Sequence, residues 1–585
     1  MTDHIGKPQR PSLRMARRSL FKGAAVTAVG ISGGFGSVMA QNSATPMADA
    51  TLPPASPSVA DLQAALANGD VTVREIVEAS LARIAAIDEA GPALNAVIEL
   101  NPDALAIADE LDAELAAGNA RGPMHGIPVL IKDNIATADG MQTTAGSLAL
   151  EGLPATADAT LVTHLRDAGV VILGKTNLSE WANIRSFQST SGWSGRGGQT
   201  LNPYQIDRNP SGSSSGSGVA AAAGYVPVTI GTETNGSIVS PAGNNGVVGI
   251  KPTVGLVSRV GVIPISHSQD TIGPMARTVA DAAALLNVLA VPDPADSAAR
   301  GEWPIPVPSA GPATPGTTIL PVPSYPAQPD GGVPTVDYLG ALDHAGLEGA
   351  RIGVVRQLAG FSPIADAVFE EALQAMAAAG AELVDPVEIP SLADQGSWGA
   401  DTLPVLEWEL KAGLADYFST HLPADAPIKT LADVIAFNAE HADEEMPWFD
   451  QSIFLNAEQR TGLDDIAYIN AVLNIQAAGR DNGIDAALQA NQLDALVAPT
   501  NGPATRIDLL NGDHWLGGTS TLAAIAGYPL VTIPAGYRHG LPIGITFMGT
   551  AWSEETLIRL AYALEQQLGI WQEPTFAPGD ILPPA

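Results

Sequence analysis

Three short stretches hold the residues best able to do chemistry. The first is Gly126-Ile-Pro-Val-Leu-Ile-Lys132-Asp133-Asn134, where a lysine directly follows an apolar run. The second is Ser211-Gly-Ser-Ser-Ser-Gly-Ser-Gly218, followed by Val219 and four alanines. The third is Gly231-Thr-Glu-Thr-Asn-Gly-Ser237, where small residues gather around one serine. The chain has no cysteine, which excludes thiolate nucleophiles, thiolate metal sites and disulfides. Covalent catalysis then falls to Ser, Thr, Lys or a carboxylate. Each stretch also has an ordinary alternative: a lysine snorkelling to the surface, a flexible linker, a polar turn.

The elements around these stretches decide what they are attached to. Gly126–Ile131 reads as a buried strand, and so does Val226–Ile230 ahead of the third stretch. Ala220–Ala223 continues the serine run as a helix. Thr72-Val-Arg-Glu75 is a capping box opening a helix that carries Val77, Leu81 and Ile84 on one face. A further helix is expected over about 102–117, another over Leu161–Ala168 and a strand over Val170–Leu173. Strands recur at Arg351–Val355, Ala495–Ala498 and Leu530–Pro534, and a helix at Glu554–Gln567. This alternation predicts an α/β fold with a mixed central sheet. Residues 58–580 are expected to form one domain, interrupted by a proline-rich excursion at about 300–335, which suits neither helix nor central strand.

Composition narrows the class. Of 585 residues, 46% are apolar and only 15% charged, enough for a large core. A net charge of −34 disfavours nucleic acid and anionic membranes as partners. The first forty residues differ from the rest. Six bases fall within residues 1–22, among them Arg17-Arg18 ahead of Ser19-Leu-Phe-Lys22, followed by an uncharged Gly/Ser-containing stretch to Val38-Met-Ala40. Residues 1–40 therefore read as a twin-arginine export signal, and 41–57 as a linker, which predicts a periplasmic or secreted protein.

Two motif matches mislead. Gly169–Thr176 fits GxxxxGKT, but its four middle residues, Val-Val-Ile-Leu, are the strand itself, whereas a phosphate loop needs its strand before the first glycine. Gly212–Gly216 fits GxSxG, but a turn-rich loop precedes it where a nucleophile elbow needs a strand. His125 has no second histidine at metal-ligand spacing and reads as a loop histidine with a local hydrogen bond.

Together the three stretches resemble the amidase signature family. The likeness runs through IPVLIKDNI, GKTNLSEWAN, NPSGSSSGSGVAAAAG, GTETNGSIVSPAGNNGVVGIKPT and GYPLVTIPAGYRHGLPIGITFMGT, across most of about 60–575. TTAGSLAL, SEWANIRS and SHSQDT look most like the bacterial peptide amidases, which cleave C-terminal carboxamides. The resemblance implies an α/β amidase signature fold with a mixed central sheet covered by helices on both faces. It implies Ser237 as nucleophile, Ser213 as a bridging serine after a cis peptide bond, and Lys132 as base. Backbone N–H groups of Thr234, Asn235, Gly236 and Ser237 would form the oxyanion hole. Lysine is a base only when neutral, and lowering its pKa from about 10.4 to about 7 takes roughly 4.6 kcal/mol, in the direction burial supplies.

Ser211, Ser215 and Asn235 stand where the family usually has glycine, and Asn235 is the non-glycine type that best tolerates positive φ. The expected activity is hydrolysis of a carboxamide, foremost a C-terminal peptide amide, with small aliphatic or aryl amides as the alternative. No cofactor, metal or nucleic acid is expected, nor a membrane for the mature form. The resemblance carries no oligomeric state. An ammonia-supplying subunit for tRNA charging fits an exported, acidic chain less well.

Overall fold

The computed structural model describes residues 52–304, 322–329 and 332–579. The stretch expected to be an export signal, most of the expected linker and the middle of the proline-rich segment lie outside these residues. Thirteen strands occur among them: β1 Val97–Leu100, β2 Pro128–Lys132, β3 Val171–Thr176, β4 Trp193–Ser194, β5 Gly198–Gln199, β6 Val228–Glu233, β7 Val248–Lys251, β8 Thr271–Ala276, β9 Arg351–Val354, β10 Glu382–Val384, β11 Ala495–Pro499, β12 Leu530–Arg538 and β13 Leu541–Met548. Strands β4 and β5 form a small hairpin. The other eleven make one mixed sheet in the order β1-β3-β2-β6-β8-β7-β12-β13-β11-β9-β10. Strands β1–β8 precede the proline-rich segment and β9–β13 follow it, so a single sheet spans both sides.

Side-chain alternation sorts the helices onto two faces. Val497, Val531 and Phe547 join a core with the helices Pro363–Ala378 and Glu554–Leu568. Their strand neighbours Leu496, Leu530 and Met548 point the other way, into a core with the helices Ile466–Gly479 and Thr521–Ala526.

Local signals read from the sequence hold at several points. Thr72 caps the helix Val73–Ile84 with both arms of the capping box formed. The Val-Ile-Leu of the GxxxxGKT match lies within β3, so no phosphate cradle exists there. His125 is buried, with Nε2 at 3.0 Å from the Leu111 carbonyl. No helix among the described residues is long and apolar enough to cross a membrane.

Candidate active site

Three parallel strands aim their C-terminal ends at one place. β2 pairs in parallel with β3 and with β6, with Lys132 opposite Thr176 and Ile131 opposite Ile230. Lys132 therefore ends its strand beside Thr232. The ends of parallel strands are where α/β sheets commonly carry their sites.

The serine run is a fixed loop, not a linker. Ser213 to Gly218 are all buried, and Ser215–Ala222 forms a helix. Its small residues let the helix lie against the strands. Thr176 Oγ1 meets Ser217 Oγ at 2.8 Å, and Ser217 Oγ donates to the Ile230 carbonyl at 2.9 Å. The Gly212–Ser213 peptide bond is cis. The Ser213 carbonyl accepts from Ser179 N–H at 3.1 Å, and Ser214 N–H donates to the Ser237 carbonyl at 3.1 Å, tying the second stretch to the third. The departures from glycine are accommodated locally. Ser215 Oγ donates to the Ser211 carbonyl at 2.6 Å. Positive φ falls on Ser211 (60°) and Gly236 (85°), and Asn235 does not need it.

Lys132 is fully buried, and burial pushes its pKa down to about 7, against the opposing pull of the Asp270 and Glu233 charges. Its Nζ lies 2.7 Å from Ser213 Oγ, 2.9 Å from Thr232 Oγ1, 3.1 Å from Ser214 Oγ and 3.2 Å from the Thr232 carbonyl. A neutral amine has one lone pair to accept a proton. Ser214 Oγ donates to the Thr232 carbonyl at 3.0 Å and accepts from Thr232 N–H at 3.1 Å. Its proton is thus committed, which leaves Ser213 as the hydroxyl able to donate to Lys132.

Ser237 sits at the tip of the third stretch and is 8% exposed, whereas Lys132, Ser213 and Ser214 are at 0%. Among the described residues its hydroxyl has no hydrogen-bond partner, and no hydrogen bond yet links it to Ser213. Glu233 shapes this loop from within. Its carboxylate accepts from Gly236 N–H at 2.9 Å, Ile238 N–H at 2.7 Å and Val239 N–H at 3.0 Å. One of the four N–H groups expected at the oxyanion, that of Gly236, is therefore already engaged, while those of Asn235 and Ser237 have no partner among the described residues. Ser520 Oγ donates to Asn235 Oδ1 at 2.6 Å on the loop's outer side.

Beside the lysine lies a cavity of about 460 Å3, lined in part by Asn134, Ser213, Thr232, Glu233, Thr234 and Asp270. Ser237 does not line it. Burial raises the Asp270 pKa to about 6, and Thr234 Oγ1 donates to this carboxyl at 2.6 Å. Among the described residues no group of three His, Asp or Glu side chains could hold a metal ion. Sequence reasoning missed Thr232, Glu233 and Asp270. A carboxylate between two threonines, Thr232-Glu233-Thr234, was the one available signal.

A buried lysine, two serines and an anion-ready loop meet at the C-terminal ends of interior strands of an α/β sheet, an arrangement suited to hydrolysis of an amide C–N bond. The chain belongs to the amidase family, whose sequence profile matches residues 75–310 and 329–558. It is 39% identical over 525 residues to a probable amidase of Arabidopsis thaliana, covering 89% of this chain and 91% of that one. It is 34% identical over 524 residues to a glutamyl-tRNA(Gln) amidotransferase subunit of Chloroflexus aurantiacus, covering 88% and 97%. The crystal structure of native peptide amidase from Stenotrophomonas maltophilia superposes with a TM-score of 0.79 at 50% identity, covering 90% of this chain and all of that one.

Proposed function

We propose that this enzyme hydrolyses the C-terminal carboxamide of peptides to an acid and ammonia through an acyl-enzyme on Ser237. The observation that carries this is the 2.7 Å contact between Lys132 Nζ and Ser213 Oγ at a lysine whose pKa burial lowers to about 7. In this mechanism Ser237 Oγ attacks the amide carbon as its proton passes to Ser213, and the Ser213 proton passes to Lys132. The oxyanion that forms meets backbone N–H groups of the 234–237 loop left open by Glu233, those of Asn235 and Ser237, a kind of stabilisation worth a few kcal/mol. Collapse breaks the C–N bond, and the proton returns from Lys132 by way of Ser213 to the departing nitrogen. Water then repeats the sequence on the ester.

Two observations support a peptide as the acyl part. One is the 50% identity to a peptide amidase. The other is a pair of exposed apolar side chains, Trp515 and Leu516, a few residues before Ser520, which holds the nucleophile loop. An ammonia-release panel of amidated peptides, amino-acid amides and aryl amides tests the substrate class. Amidated peptides should lead, and a lead by small aliphatic or aryl amides would contradict the peptide reading.

The reading extends to location. Arg17-Arg18 and the uncharged stretch after them support export through the twin-arginine route, so that the mature enzyme acts outside the cytoplasm. Replacing both arginines with lysine should leave activity in the cytoplasmic fraction; unchanged export would contradict the assignment.

A further inference from the structure

Amide cleavage at Ser237 has two sides. The acyl carbon bonds to Ser237, while the departing nitrogen takes its proton from Ser213 and so faces Ser213 Oγ as the C–N bond breaks. Ammonia is about the size of a water molecule, whose share of liquid volume is about 30 Å3. Yet the cavity that reaches Ser213 holds about 460 Å3, within the range of small-molecule sites, roughly 300–1,000 Å3. Ser237 lies outside its lining, as expected if the acyl group goes elsewhere.

The walls suit an apolar occupant. Val262, Ile263, Pro264 and Ile265 come from one loop, Ile272 from β8 and Tyr417 from the helix Gly399–His421. Two buried polar atoms on the lining have no partner among the described residues, Asn134 Oδ1 and Tyr417 Oη. Asn134 Nδ2 donates to Thr232 Oγ1 at 3.0 Å, which orients the amide and leaves its oxygen free to accept an N–H. Burial raises the Tyr417 pKa, so its phenol stays a donor. The mouth, at Asp416, Thr420 and His421, reaches solvent.

Resting on the Ser237–Ser213–Lys132 reading, we infer that this cavity is a leaving-group site, and that the enzyme also hydrolyses secondary amides whose nitrogen carries an apolar, ring-sized group. The chemistry balances without a further reactant. The Ser237 Oγ–C bond forms and the C–N bond breaks. The nitrogen gains the Ser237 proton through Ser213 and leaves as a primary amine. Water then releases the acid.

The test keeps one acyl group and varies the amine: N-acetyl-leucinamide, its N-benzylamide and its anilide. The purified enzyme should turn over the benzylamide or anilide with kcat/KM within about tenfold of the primary amide. Ile263→Phe inside the cavity, and separately Thr420→Trp at its exposed mouth, should each lower the N-substituted rate about tenfold or more while the primary amide changes less than about twofold. Circular dichroism checks the fold of each variant, and Thr420→Trp keeps the test open if Ile263→Phe misfolds. Hydrolysis of the primary amide alone would overturn the leaving-group site and leave the Ser237 reading intact. Equal losses on both substrates in a folded variant would also overturn it. No turnover of any of the three would remove both.

Discussion

At the scale of single residues, the proposed chemistry rests on one amine that must be neutral. Lys132 has its pKa lowered to about 7, first by burial, while Asp270 and Glu233 pull it back up. In the proposed mechanism the neutral form is the base, so kcat/KM should fall as pH drops through about 7 and level off well below the 10.5 of an ordinary lysine. Removing the opposing charge should lower that pKa further. Asp270→Asn is therefore expected to move the acid limb of the pH–rate profile to lower pH, and a shift toward higher pH would contradict the assignment. Glu233→Gln should act through the loop. It weakens an acceptor that serves three backbone N–H groups, and kcat should drop by about ten- to a hundredfold with KM little changed, as when an oxyanion site loses its geometry. Lys132 and Ser237 are legible in the sequence because each breaks its local pattern: a charge ends an apolar run, a serine sits among small residues after a strand. The parts played by Glu233 and Asp270 are not legible, since a carboxylate turned inward to backbone N–H groups looks the same on paper as one in solvent.

At the scale of elements, the site depends on how closely a small helix approaches the sheet. A side chain on Gly216 would bring a Cβ within 2.2 Å of the Ala96 carbonyl and 2.5 Å of the Asn177 carbonyl. Both neighbours are backbone and cannot swing aside. Gly216→Ala should push the helix Ser215–Ala222 outward and carry Ser213 away from Lys132. We expect more than tenfold loss of activity together with a lower Tm, an overpacking effect of about 1–3 kcal/mol. Gly399→Ala, whose Cβ would meet only Gln395 at 3.6 Å, is the matched control and should stay near wild type. Strands β2, β3, β6, β11 and β12 are readable as apolar runs bounded by turn residues. The helix Gly399–His421 is not, since Pro404 lies inside it and proline ordinarily argues against a helix interior. That helix supplies Tyr417 to the cavity, so one wall of the site is hidden with it.

At the scale of the whole molecule, distant segments are locked together under the site. Arg185 is fully buried and pairs with Glu180, donates to the Glu445 carbonyl at 2.6 Å, and lies 4.3 Å from the centre of the Phe449 ring. Glu445 Oε1 in turn accepts from Ser147 Oγ at 3.0 Å. The Glu445 carboxylate also lies 3.6 Å from Arg185, so Arg185→Ala would leave two buried carboxylates without their cation, at a cost of about 3–5 kcal/mol, and calorimetry should record the loss as a fall in Tm. The described residues of the proline-rich segment lie between β8 and β9 in the chain and form no strand. Tyr325 among them is nonetheless buried, with its ring tilted against Trp303 at 5.1 Å between centres and under the Arg259 guanidinium at 5.3 Å. Such contacts join positions that no local pattern connects, which is why the catalytic stretches are readable and the cavity beside them is not. The most direct test of the proposed chemistry is to quench the enzyme during turnover of an amidated peptide and map the acyl adduct by mass spectrometry. The added acyl mass should fall on Ser237 and disappear in Ser237→Ala along with ammonia release; an adduct on Ser213 or Ser214, or undiminished turnover by folded Ser237→Ala, would contradict it.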